Sequence, residues 1–136
     1  MSRGTKGLSG NGQLRIIGGQ WRGRKLSFTA AEGLRPTSDR VRETLFNWLA
    51  ADIHGAKCLD LFAGSGALGL ESLSRGATHC DFIDTSAAAI KQLQSHLQVL
   101  DGASRGRCHN DSALSFLTKA QQRWDIVFVD PPFGQD

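Results

Sequence analysis

At 136 residues, 40% of them hydrophobic and 21% charged, the chain has the size and balance of one ordinary domain around one core. No apolar run approaches the ~20 residues of a membrane span, and the N-terminus MSRGTKGLSGNGQ lacks the apolar stretch of a secretory signal, so a cytoplasmic protein without a membrane partner is expected. The net charge of +3 hides an asymmetry: residues 1–57 hold 10 Lys and Arg against 4 Asp and Glu, and residues 58–136 hold 6 against 9, so the first part suits a polyanion and the second a cationic ligand.

Residues 1–13, rich in Gly and Ser with two cations, read as a flexible basic tail. Residues 14–56 read as an N-terminal extension. In it, Leu14 to Ile17 and Lys25 to Phe28 form two short strands around Gly18, Gly19 and Gly23, a small hairpin. Arg15, Trp21, Arg22, Arg24 and Lys25 interleave cations with an aromatic ring, a pattern suited to phosphate contacts and base stacking, although Trp21 can equally be packed beneath the hairpin. Arg35-Pro36-Thr37-Ser38 marks a helix start, with Thr37 or Ser38 as cap. The spacing of Val41, Leu45, Trp48 and Leu49 predicts a helix over Asp39 to Ala50 that packs this stripe inward and turns Arg40 and Arg42 elsewhere.

From residue 57 to 136 the pattern alternates: strand Cys58 to Phe62, helix Ala67 to Arg75, strand Cys80 to Ile83, helix Ala87 to Leu100, a weak strand near Arg107 to His109, helix Ala113 to Ala120, and strand Ile126 to Val129. Four strands alternating with helices predict an α/β fold, a doubly wound, mainly parallel sheet, with ligands at the carboxyl ends of the strands. Cys58, Cys80 and Cys108 are widely spaced with no CxxC pair, which points to buried small hydrophobes and to no metal site.

The stretch CLDLFAGSGALG from Cys58 to Gly69 is a buried strand turning sharply into a helix. Its glycines permit positive φ and close approach, and the helix start offers N–H groups to a ligand. GSGALG also satisfies the GxGxxG dinucleotide pattern, which leaves a nicotinamide oxidoreductase open. Asp60, just before the turn, repels a pyrophosphate and attracts the sulfonium and ammonium of S-adenosylmethionine, the cofactor this stretch favours.

Four acids, Asp60, Asp84, Asp111 and Asp130, fall at or just past the four strand ends. Asp84 can accept two ribose hydroxyls. Asp111 can accept an adenine amino group or cap the helix that follows. In Asp130-Pro131-Pro132-Phe133 the prolines remove two backbone donors, leaving the Asp130 carboxylate and the Pro131 carbonyl to hold an exocyclic amino group while Phe133 stacks on its base.

With these residues the sequence resembles the class I S-adenosylmethionine-dependent methyltransferases of the amino-methylating group, which carry a [DNS]PP[FYW] motif. It is more similar still to the RsmD family of bacterial 16S rRNA guanine-N2 methyltransferases. The likeness rests on RIIGGQWRGRKL (Arg15 to Leu26), RPTSDRVRETLFNWL (Arg35 to Leu49), LDLFAGSGALGLESLSRGA (Leu59 to Ala77) and FVDPPF (Phe128 to Phe133). The last two alone would also fit DNA adenine-N6 or cytosine-N4 methyltransferases. The resemblance implies a Rossmann-like fold in which Asp60, Phe62, Gly64, Ser65 and Gly66 line the methionine end of the cofactor, Asp84 its ribose and Asp111 its adenine. It implies that Asp130, Pro131, Pro132 and Phe133 hold the target guanine. Arg15, Trp21, Arg22, Arg24, Lys25, Arg35 and Arg40 would grip 16S rRNA or the small ribosomal subunit, with the protein acting as a monomer. At Asp84 the family more often shows Glu followed two residues on by another acid, where this chain has Ser86. Sheets of this class have seven strands, so the core is expected to be incomplete after the fourth and the strand Ile126 to Val129 to be an uncovered apolar edge, leaving the chain by itself poorly stable or inactive.

Overall fold

The computed structural model describes residues 11–29 and 38–131. Two strands, β1 (Asn11–Arg15) and β2 (Lys25–Thr29), form an antiparallel hairpin in which Leu14 pairs with Leu26 and Arg15 with Lys25. Helix α1 (Asp39–Trp48) follows, and then β3 (Lys57–Asp60), α2 (Ala67–Ser74), β4 (His79–Asp84), α3 (Ala87–Val99), β5 (Gly106–Asn110), α4 (Ala113–Lys119) and β6 (Ile126–Phe128). The four later strands make one parallel sheet in the order β5-β4-β3-β6. The chain therefore winds outward from β3 through β4 to β5, then returns to the other flank of β3, placing the topological switch between β3 and β6.

Local chemistry sets the helix starts. Ser38, Ser86 and Ser112 are in extended conformation, and each accepts the N–H three residues on, satisfying a donor the helix leaves over. Helix α2 instead starts from left-handed Gly66 with no side-chain cap.

The sheet alternates its side chains between two layers. Cys58, Cys80 and Phe82 face a large cluster holding Phe46, Leu70, Leu73, Leu93 and Leu97, while Leu59, Leu61 and Ile83 face Phe116 and Trp124. Leu14, Ile16, Trp21, Leu26 and Phe28 of the hairpin belong to that same large cluster. Packing thus runs across the boundary drawn between residues 56 and 57, and the hairpin is a flap of the core. Residues 11–13 lie in β1 rather than in a tail.

Helix α1 departs from its predicted face. Val41 and Trp48 are 58% and 77% exposed, whereas Phe46 and Arg42 are fully buried. Arg42 is drawn inward because Nη2 donates to the Arg15 carbonyl at 2.7 Å and to Asp39 Oδ1 at 2.8 Å, with Nε 3.8 Å from the buried Glu71. These acceptors answer part of the buried charge, and removing them would leave the cation uncompensated. Phe46 reaches Phe128 of β6, ring centroids 5.7 Å apart. β6 ends the strand order, with Val127 and Val129 exposed and Phe128 buried. No helix among the described residues is long and apolar enough to cross a membrane.

Candidate functional site

The turn after β3 is held from inside. Gly64 (φ 55°) and Gly66 (φ 86°) supply its left-handed geometry. Gly64 N–H donates to Asp84 Oδ2 at 2.8 Å, Gly66 N–H to the Ala63 carbonyl at 2.7 Å, and Gly69 N–H to Asp60 Oδ2 at 3.1 Å. All three glycine donors in the GxGxxG pattern are engaged. A pyrophosphate would have to break these bonds as well as meet two carboxylates. Gly69 serves packing, since a Cβ there would lie 2.2 Å from Phe82 Cε2 and push α2 off β4. Ser65 is buried and Phe62 half-buried beside the turn.

Asp60 is 1% exposed, and its Oδ1 has no hydrogen-bond partner among the described residues. Burial pushes its pKa up from 3.8 to about 7, with the neighbouring charges of Asp130 and Asp84 adding to the rise and the N–H groups of Gly69 and Phe62 opposing it. An ionised carboxylate in this position attracts positive charge. Asp84 is fixed by Gly64 on one oxygen and by the Ser86 N–H on the other at 2.8 Å, and each oxygen retains a further lone pair. Asp130 and Pro131 follow β6 at the same rim, while Pro132 and Phe133 lie outside the described residues.

The structure thus brings Asp60, Asp84 and Asp130 together and turns Asp111 aside. Asp111 Oδ1 accepts its neighbour's Ser112 N–H at 2.8 Å and Oδ2 meets Lys119 Nζ at 3.0 Å, an ammonium that lowers the Asp111 pKa. The cap of α4 is Ser112 rather than Asp111. Asp111 instead lines a cavity of about 430 Å³ with His109, Phe116, Lys119 and Gln122.

On the hairpin, Arg22, Arg24 and Lys25 are exposed, as is Arg40 at the start of α1, and Arg15 sits across the ladder from Lys25 with Asp39 3.4 Å away. Cations directly opposite each other on a sheet repel, so this outer face favours an anion. Trp21 does not belong to it. Its ring is buried flush against Gly102, where a Cβ would come within 2.7 Å, and Arg105 covers it at 5.2 Å, so Trp21 is a core residue and not a stacking platform. Arg35 lies outside the described residues.

Two buried carboxylates escape sequence reasoning. Asp81 accepts from His109 Nε2, Trp124 Nε1 and Gln122 Nε2 and lies 3.3 Å from His79. Burial alone would raise its pKa, but the hydrogen bonds from His109, Trp124 and His79 together outweigh burial and lower it. Glu71, fully buried on α2, accepts from Ile17 N–H and Gly18 N–H of the hairpin turn and from Arg75 Nε. The available signal was a charge inside an otherwise apolar run, CDFI in the one case and LGLESL in the other.

An open parallel sheet with a glycine turn at its switch point and carboxylates at the neighbouring strand ends is the class I methyltransferase fold. The chain belongs to the family described as Conserved hypothetical protein 95, whose profile matches residues 14–136. It is 58% identical over 125 residues to ribosomal RNA small subunit methyltransferase D of Escherichia coli (strain K12), covering 92% of this chain and 63% of that protein. The protein of the same name from Haemophilus influenzae is 51% identical over 125 residues, covering 90% of this chain and 65% of its own length. The solved structure of the Escherichia coli protein yhhF matches with a TM-score of 0.81 at 57% identity, over 91% of this chain and 67% of that one. The chain spans a little under two thirds of the length of the curated relatives it matches.

Proposed function

We propose that this chain carries the cofactor-binding and RNA-docking parts of an S-adenosylmethionine-dependent methyltransferase acting on the exocyclic N2 of a guanine in 16S rRNA, free or within the small ribosomal subunit. One observation carries the cofactor reading: a buried carboxylate, Asp60, has an oxygen with no hydrogen bond among the described residues, beside two further acids, at a turn whose three glycine donors are engaged. That environment rejects phosphate and accepts a cation. The names of the relatives, together with the exposed cations of the hairpin, support an rRNA substrate.

When bound, S-adenosylmethionine supplies a methyl group on a positively charged sulfur. Asp60 would hold the cationic end, with Phe62, Ser65 and the backbone of Gly64 and Gly66 forming the wall, and Asp84 would take the ribose hydroxyls. Asp111 reaches the adenine only by sharing its carboxylate with Lys119. Asp130 and the Pro131 carbonyl accept the two amino hydrogens of the guanine, turning the nitrogen lone pair toward the methyl carbon. With the methyl group supplied by the cofactor, whose sulfur would keep the electron pair of the broken carbon–sulfur bond, Asp130 or water would take the proton that the nitrogen loses. The base must leave its stack first, at a cost of about a few kcal/mol, which phosphate contacts at the hairpin can offset.

The test uses the chain extended to the full length of its curated relatives. Asp130→Ala should cut labelled-methyl transfer to small ribosomal subunits by at least about 100-fold, the scale of losing a transition-state contact, while S-adenosylhomocysteine binding measured by calorimetry stays within about threefold. Loss of both together would reject the division of labour between Asp130 and Asp60. Transfer to duplex DNA instead of rRNA would reject the substrate, and a fluorescence response to NADH without one to S-adenosylhomocysteine would reject the cofactor.

A further inference from the structure

We propose that Glu71 is a positioning residue that holds the basic hairpin in register with the cofactor turn, so that an RNA bound at the hairpin and a cofactor bound at the turn strengthen one another through α2. The inference rests on the reading above and adds a mechanical link to it. The two halves of the site, hairpin and strand ends, touch opposite ends of the same helix. At its start Gly66 shapes the turn, and Gly69 N–H ties the helix to Asp60. Two residues on, Glu71 accepts Ile17 N–H at 3.0 Å through Oε1 and Gly18 N–H at 2.9 Å through Oε2. Near the helix end Ser74 Oγ accepts the Trp21 N–H at 2.9 Å and donates to the Gly18 carbonyl at 2.6 Å.

A fully buried carboxylate is tolerated only when its charge and lone pairs are answered. Glu71 meets that requirement with groups from three places: the hairpin turn, Arg75 of its own helix end at 2.7 Å, and Arg42 of α1 at 3.8 Å. Arg42 in turn holds the Arg15 carbonyl at the end of β1. Nor can the helix slide alone. Gly69 lies hard against Phe82 of β4, and Gly19 lies so close to the Ser74 carbonyl that a Cβ would come within 2.0 Å of its oxygen. Hairpin, α1, α2 and glycine turn are therefore linked by shared contacts, and ordering one end lowers the cost of ordering the other.

Binding of S-adenosylhomocysteine to the extended chain should be measured by calorimetry with and without transcribed small-subunit rRNA. In the natural sequence RNA should tighten it by about fivefold or more, the lower end of ordinary coupling. Glu71→Gln keeps the volume but turns one acceptor into a donor facing the Gly18 N–H and the Arg75 guanidinium. It should leave binding without RNA within about threefold and bring the RNA effect to within about twofold of none. A purely structural role would change the fraction of competent sites and leave this ratio alone. Should Glu71→Gln fold poorly, hydrogen exchange on the unsubstituted chain decides: S-adenosylhomocysteine should slow exchange at the Ile17 and Gly18 amides, which donate to Glu71. Unchanged coupling in Glu71→Gln, or unchanged exchange at those amides, overturns the inference alone. Absence of any S-adenosylhomocysteine binding overturns the proposed function and this inference with it.

Discussion

Glu71 and Asp60 are buried carboxylates that meet one short helix two residues apart, Glu71 as part of α2 and Asp60 by accepting the Gly69 N–H, and their surroundings differ in kind. The Glu71 oxygens take two backbone N–H groups and an arginine, with a second arginine close by. Asp60 has one oxygen on Gly69 and the other without a hydrogen bond among the described residues, and burial first, then the charges of Asp130 and Asp84, raises its pKa. A satisfied buried charge fastens elements together, whereas an unsatisfied one keeps a place for something the chain does not itself provide. Asp81, with its ring of His109, Trp124 and Gln122, belongs with Glu71.

The largest expected effect tests the fastened end. Glu71→Ala strands Arg42, two of whose guanidinium nitrogens already lack partners, and leaves the Ile17 and Gly18 N–H groups facing a void. The loss should be about 3–5 kcal/mol in urea unfolding of the extended chain, the range for breaking a buried ion pair. Asp60→Asn, of equal burial, should cost less than about 1 kcal/mol or stabilise, because it removes a charge rather than a partner. Equal losses in the two variants would erase the distinction between these carboxylates.

A smaller effect sharpens the open end. With a folded pKa of about 7 against the ordinary 3.8, Asp60 is protonated in the folded chain but ionised in the unfolded chain between about pH 4 and pH 7. The unliganded fold binds more protons there, so its stability should fall as pH rises through that window and level off above it. Cation binding runs the other way: S-adenosylmethionine needs the ionised carboxylate, so its affinity should weaken by about tenfold for each pH unit below 7, since one unit corresponds to a factor of ten in the equilibrium. Calorimetric titrations from pH 5.5 to 8.5 measure this, and Asp60→Asn should flatten the profile. A flat profile in the unsubstituted chain would remove Asp60 from the cation site.

The two regions were unequally legible in the sequence. The glycine turn, the strand–helix alternation and the acids after β3, β4 and β6 are local patterns of spacing, and the structure places them as their spacing predicts. The fastened end is not local. Whether Trp21 faces RNA or the core is decided by Gly102 and Arg105, more than 80 residues away in the chain. Ranking α1 by hydrophobicity turns Trp48 inward and Arg42 outward, the reverse of what Glu71, from another helix, imposes. Long-range charge pairs carry no periodic signature, so only the oddity of a glutamate within LGLESL hinted at this one.

The smallest effect on the fold separates the hairpin's two surfaces. Its inner residues hold the core, while Arg22 and Lys25 stand exposed. Lys25 also faces Arg15 across the ladder, a like-charge pair whose removal relieves repulsion. Replacing Arg22 and Lys25 with Gln should therefore change unfolding free energy by no more than about 0.5 kcal/mol per site, as surface substitutions do. RNA affinity should fall at every salt concentration, and the slope of log K against log salt should drop by about one for each cation that met a phosphate. Trp21→Ala should do the opposite, costing about 3–5 kcal/mol of stability as a buried aromatic does while leaving the salt slope alone. A salt slope that responds to Trp21 and ignores Arg22 and Lys25 would mean that the RNA lies across a different face.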